Sequence, residues 1–204
     1  AKKRKKFGCR IPTLDQIRDY FLTNRFEIEE GEAGPYPILA MSVDELQEKI
    51  YDLDQEYDLI MIDTAGRLDH TVSVENQEIT KALMYADHLF IPFRAGSFNL
   101  EASLEYLKVG VELQELRANN ERPLSLHAFV NMYKDRSKTN TFLITEIEHL
   151  RSEGIPFMMC RLRNYTLFEE ADTLTSLYDV NSSNKAKLNF TVWLNEFVKI
   201  LKNG

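Results

Sequence analysis

Tyr57-Asp58-Leu59-Ile60-Met61-Ile62-Asp63-Thr64-Ala65-Gly66-Arg67 is an apolar run closed by an aspartate and a glycine turn. Leu59 to Ile62, set between two aspartates, suit a strand buried on both faces of a sheet, with Asp63 emerging at its carboxyl end. Open parallel sheets bind ligands just beyond those ends. An aspartate there can hold Mg²⁺ through water, and Gly66, lacking a Cβ, leaves its N–H free to approach a terminal phosphate. The same residues also suit a plain core strand with a turn after it, so the neighbouring chain must decide between the two.

That neighbouring chain alternates helix and strand. Upstream, Thr13 is placed to N-cap a helix carrying Leu14, Ile17, Tyr20, Phe21 and Leu22, and residues 36–40 read as a short strand. Ser42 caps a helix reaching about Gln55, with Leu46, Ile50 and Leu53 on its apolar face. Downstream, helices are predicted at 74–85, 99–116 and 139–151, and strands at 89–93, 126–130 and 157–160, with Pro92 ending the first of those strands. Residues 180–184 read as a loop with Asn184 as N-cap. A last helix over 185–201 should turn Leu188, Val192, Trp193, Phe197 and Ile200 inward. Repeated strand, helix and strand predicts an α/β fold, a mostly parallel doubly wound sheet with helices on both faces, and one domain over residues 1–204.

Composition narrows the class. A chain of 204 residues with 44% hydrophobic and 28% charged residues can bury a full core, and no apolar run approaches membrane-spanning length. The net charge of −7 argues against general affinity for nucleic acid, so any basic patch must be local. Cys9 and Cys160 are too few and too separated for a disulfide framework or a CxxC metal site, and a reducing cytoplasm is the expected compartment. The start, Ala1-Lys2-Lys3-Arg4-Lys5-Lys6, lacks the apolar core of a secretory signal; it reads as a solvated basic end, a cut within a longer protein, or a nucleic-acid arm.

Three motifs in order resemble the ParA/MinD family of deviant Walker-motif ATPases, best over residues 36–179. Ile62-Asp63-Thr64-Ala65-Gly66 resembles its Walker B and switch II segment. Ala86-Asp87-His88-Leu89-Phe90-Ile91-Pro92 resembles its following Ala-Asp strand, and Phe129-Val130-Asn131-Met132-Tyr133 its later strand ending in Asn. The resemblance implies ATP and Mg²⁺ as cofactors. Asp63 would serve the metal and the attacking water, Gly66 the γ-phosphate switch with Thr64 beside it, and Asn131 with Met132 the adenine edge. It also implies a homodimer closed by ATP, non-specific DNA binding and a ParB-like partner that stimulates hydrolysis. Lys134, Arg136, Lys138, Arg161, Arg163, Lys185 and Lys187 could neutralise DNA phosphates if they converge on one face; scattered solvated charge is the alternative.

The family's phosphate loop is missing, since neither G-x-x-x-x-G-K-[ST] nor its deviant form occurs in the sequence. Its N–H groups and lysine are the main electrostatic stabilisers of phosphoryl transfer. A parallel sheet without its central strand would expose unpaired edges, so further residues are expected before Ala1. A complete chain that had lost the loop would be a non-hydrolysing adaptor or scaffold. Asp63-Thr64-Ala65-Gly66-Arg67 also resembles the switch of signal-recognition-particle GTPases, but Asn131-Met132-Tyr133-Lys134-Asp135 does not match their guanine-reading spacing. MinD-like membrane positioning is disfavoured by the last helix, which carries few lysines on its polar face.

Overall fold

The computed structural model describes residues 39–64, 74–170 and 184–203. The expected helix after Thr13, most of the expected strand at 36–40, the basic start, Gly66 and most of the loop before Asn184 lie outside the described residues. The described chain is mixed α/β: helices α1 (Val43–Glu56) and α2 (Val74–Leu83), strand β1 (His88–Phe93), helix α3 (Ser97–Leu116), strand β2 (Ser125–Val130), then helices α4 (Lys138–Ser152), α5 (Thr166–Glu170) and α6 (Lys185–Asn203).

Local chemistry sets the helix starts. Ser42 and Glu45 form a reciprocal capping box: the Ser42 N–H donates to Glu45 Oε2 at 2.8 Å, and the Glu45 N–H donates to Ser42 Oγ at 3.3 Å. Asn184 caps α6 as expected, its Oδ1 accepting the Ala186 N–H at 2.8 Å. Gly96, at φ 116°, turns the chain from β1 into α3 in a backbone region that side-chain-bearing residues rarely enter.

β1 and β2 pair in parallel, His88 opposite Ser125 through Phe93 opposite Val130, and α3 makes the crossover. The expected strand at 157–160 does not form as a strand; only a single third rung is made, where Phe157 bridges Ala128 in parallel and the Met158 N–H donates to the Ala128 carbonyl at 2.7 Å. Ile91, Phe93, Leu126, Ala128, Val130 and Phe157 form one apolar face, and Leu107 of α3 with Leu143 and Ile147 of α4 close over it. On the other face, Phe90 packs on Phe197 of α6 at 4.6 Å between ring centroids, and Phe129 on Trp193 at 5.3 Å.

Gly110 explains how α3 reaches the sheet. A Cβ there would lie 2.6 Å from Leu126 Cδ1 and 2.9 Å from Leu89 Cδ2, and Leu126 is buried, with little room to yield. Gly110→Val is expected to cost about 1–3 kcal/mol through overpacking, read as a lower urea midpoint with an unchanged denaturant slope.

Three further expectations are corrected. Residues 57–64 form no β ladder among the described residues: Ile60 and Ile62 pack against Leu46, Ile50 and Ala82, whereas Leu59 is 54% and Met61 77% exposed. Among the described residues the run is therefore covered on one face, by α1 and α2. Pro92 does not end its strand, since β1 continues to Phe93. The Asn131 N–H donates to the Phe93 carbonyl, so alternation turns residue 92 to the opposite edge, where a missing N–H costs no β1–β2 bond. The Pro92 carbonyl is taken by the Ser103 hydroxyl at 2.8 Å. Finally, Leu188 and Val192 are exposed at 53% and 54%. They lie about 140° and 100° around the helix from Trp193, and the inward stripe runs through Ala186, Asn189, Phe190, Trp193 and Phe197.

Candidate functional site

The loops leaving β1, β2 and the third rung meet at the carboxyl edge, the place where a parallel sheet presents ligand groups. The loop after β2 is tightly held. Asn131 is half-buried, and its N–H donates to the Phe93 carbonyl at 2.8 Å. Tyr133 bridges Arg163, its N–H donating to the Leu162 carbonyl and its carbonyl accepting from the Asn164 N–H, both at 2.9 Å. Between these anchors Met132 sits at φ 54°, and Arg136 follows at φ 59°. Both are left-handed conformations that bulky residues rarely adopt, and such strain persists only where surrounding contacts enforce it.

The charges of this rim are mostly basic and partly committed. The Arg161 guanidinium lies 5.1 Å from the Tyr133 ring centroid, a cation–π contact, and Arg163 forms an ion pair with Asp135. Asn189 of α6 joins the same edge, its Oδ1 accepting the Arg163 N–H and its Nδ2 donating to the Arg161 carbonyl, both at 2.8 Å. Lys185 lies one helical turn before Asn189 on the same face of α6 and is exposed, which brings it toward the rim; Lys187 is half-buried on another face. Exposed Arg94, Lys134 and Arg136 extend the basic character. The structure thus brings Asn131, Met132, Arg161 and Arg163 together and ties them to α6.

Asp63 and Thr64 stand apart. Asp63 is exposed and Thr64 half-buried at the end of the extended run, and no hydrogen bond or ion pair among the described residues joins either to the β2 loop. An exposed carboxylate after an extended segment fits a ligand that holds Mg²⁺ through water. Among the described residues no three His, Cys, Asp or Glu side chains gather into a metal position. No helix among them is long and apolar enough to cross a membrane.

Sequence reasoning gave no role to three residues here: Tyr133, Asn189 and Glu196. Tyr133 carries Arg161, and Asn189 and Glu196 join α6 to the third rung. The available signal was their spacing, since two polar residues seven apart, at 189 and 196, share the helix face that also bears the aromatic residues. Comparison with known proteins finds no family model that matches the chain and no curated protein that matches it significantly. The functional reading rests on the chain's own residues.

Proposed function

We propose that this chain carries a ParA/MinD-like fold, a doubly wound parallel sheet of the P-loop type, and acts in an ATP-driven protein that partitions or positions DNA. One observation carries the reading. Two of the three ordered motifs, 86–92 and 129–133, fall on adjacent parallel strands, and Asn131 and Met132 emerge at their shared carboxyl edge. In this reading Asp63 serves Mg²⁺ and the attacking water, Gly66 and Thr64 the switch, and Asn131 with Met132 the adenine. ATP closes a homodimer on DNA through the basic rim of Arg161, Arg163 and Lys185, with Lys187 turned to another face, and a ParB-like partner prompts release. Asp135 is paired with Arg163 rather than free to read guanine, which favours ATP over GTP.

The absent G-x-x-x-x-G-K-[ST] loop supports a second reading, a non-hydrolysing adaptor of the same fold. Binding of fluorescent ATP and GTP analogues with Mg²⁺, and phosphate release, measured on the purified protein, separate the two. The ATPase reading expects tighter ATP than GTP binding and turnover that falls to background in Asp63→Ala. Turnover unchanged in that variant, or a preference for GTP, overturns it. Binding without turnover assigns the adaptor. DNA affinity should fall steeply with rising salt, because displaced counterions drive phosphate contacts.

A further inference from the structure

Two histidines flank Phe90 on the sheet face that α6 covers, and the nucleotide reading uses neither. His88 of β1 and His127 of β2 stack at 5.8 Å between centroids, and Phe90 lies beside both, 6.2 Å from His88 and 5.2 Å from His127. Phe197 of α6 covers Phe90 at 4.6 Å, and Trp193 stacks on Phe197 at 5.3 Å. The two imidazoles thus belong to the aromatic layer that holds α6 down. His88 Nδ1 and His127 Nε2 are buried with no hydrogen-bond partner among the described residues.

A neutral imidazole has one donor and one acceptor, so a single missing partner is a bearable defect. An imidazolium has two donors, and at each of these rings one of them would be buried without an acceptor, a costly arrangement for a charged group. Two such charges on neighbouring strands would also repel each other. We propose that His88 and His127 form an acid-sensitive latch: neutral, they let α6 close on the sheet, and their protonation loosens it.

The surrounding charges do little to offset this. Asp87, next to His88, favours its charged form, but Arg122 holds the Asp87 carboxylate through two hydrogen bonds, of 2.9 and 2.6 Å. On β2 the facing titratable group is the other histidine. On α6 the Glu196 carboxylate is bound by the Met159 and Cys160 N–H groups, and Lys199 and Lys202 are exposed. Burial holds both imidazoles below the ordinary histidine value; Asp87 partly opposes it at His88, and the charge of His88 reinforces it at His127. The closed state therefore binds fewer protons than the open one. Closure is complete above about pH 6.5 and weakens as pH falls through the lowered values.

Trp193 is the only tryptophan, so its emission reports directly on α6. Titration of the full chain from about pH 8 to about pH 5 should give a red shift and faster amide exchange along residues 185–203, with a midpoint below about 6.5. His88→Phe/His127→Phe keeps the aromatic layer and should abolish both changes. Should that variant not fold, the imidazole proton resonances of the unaltered chain supply the readout, and both must titrate with the Trp193 transition. Glu196→Gln separates the other titrating contact of α6 and should leave the histidine midpoint in place. Flat Trp193 emission across the range, the same midpoint in the double variant, or imidazoles that titrate apart from Trp193 would overturn the latch.

Discussion

Arg117→Met will lower the thermal unfolding midpoint by roughly 5–15 °C, the effect of losing about 2–4 kcal/mol in a chain of this size. Arg117 closes α3 and is only 4% exposed. Its guanidinium donates to the Ala86 carbonyl at 2.6 Å, to the Leu83 carbonyl at 3.4 Å, and to the Arg122 carbonyl through two nitrogens at 2.6 and 3.2 Å. One side chain thus satisfies the carbonyl end of α2, where a positive charge is favoured, and fastens the 117–122 linker to the start of β1. Methionine keeps much of the stem volume but strands these acceptors. Arg122→Ala provides the contrast five residues away. Its ion pair with Asp87 is short, at 2.6 Å, but the two side chains are 58% and 47% exposed. Solvent screening holds that pair to below about 1 kcal/mol, so its loss should barely move the midpoint. Equal effects from the two variants, followed by differential scanning calorimetry, would show that the buried fork is not what joins these segments.

Glu196→Ala will cost roughly 1–3 kcal/mol and will loosen α6 before the rest of the fold. Glu196 Oε1 accepts the Met159 N–H at 2.6 Å and Oε2 accepts the Cys160 N–H at 2.7 Å, two charge-assisted bonds to an edge left without a neighbouring strand among the described residues. Asn189, two turns earlier, satisfies the Arg163 N–H and the Arg161 carbonyl of the same edge. Helix side chains thus do the work of a pairing strand and cover an edge that would otherwise invite association. Burial pulls the Glu196 carboxyl upward, but the Cys160 thiol, the two N–H groups and the Arg151 charge outweigh it and leave it below the ordinary glutamate value. The stabilisation is therefore present above about pH 4.5 and is lost as pH falls through the lowered value. In Glu196→Ala that acid-side loss should shrink in urea titrations of stability at successive pH values. An unchanged pH profile would place the stabilisation elsewhere. Burial and the neighbouring carboxylate also push the Cys160 thiol up to about 11, so at neutral pH it remains a proton donor to Glu196 rather than a nucleophile.

Much of the fold was legible in particular residues. Leu46 and Ile50 mark the buried face of α1, Ser42 and Asn184 cap the helices expected of them, and alternation along 125–130 places Leu126, Ala128 and Val130 in the core. These signals are local, carried by side chains within one or two turns or along one strand. The apolar run at 59–62 was less informative, because a short string of Leu, Ile and Met reads the same whether one face or two are covered. That Asn131 and Met132 follow the end of β2 was legible from the order of elements. The engagements of the rim side chains were not: Asp135 with Arg163 and Tyr133 with Arg161 join residues 28 apart, beyond any periodic pattern.

By itself the sequence determined the helices over 43–56, 74–83, 97–116, 138–152 and 185–203, the strands over 88–93 and 125–130, their order and the mixed α/β class, because caps, turn residues and periodicity act over a few residues. Only the tertiary structure decided the parallel register of β1 on β2, the closeness of α3 at Gly110, and the assignment of Arg117 and Glu196 to backbone groups more than thirty residues away. It also decided that Leu59 and Met61 face outward while Ile60 and Ile62 face α1 and α2. Burial is a property of what covers a segment, and a segment's own residues do not say how many of its faces are covered.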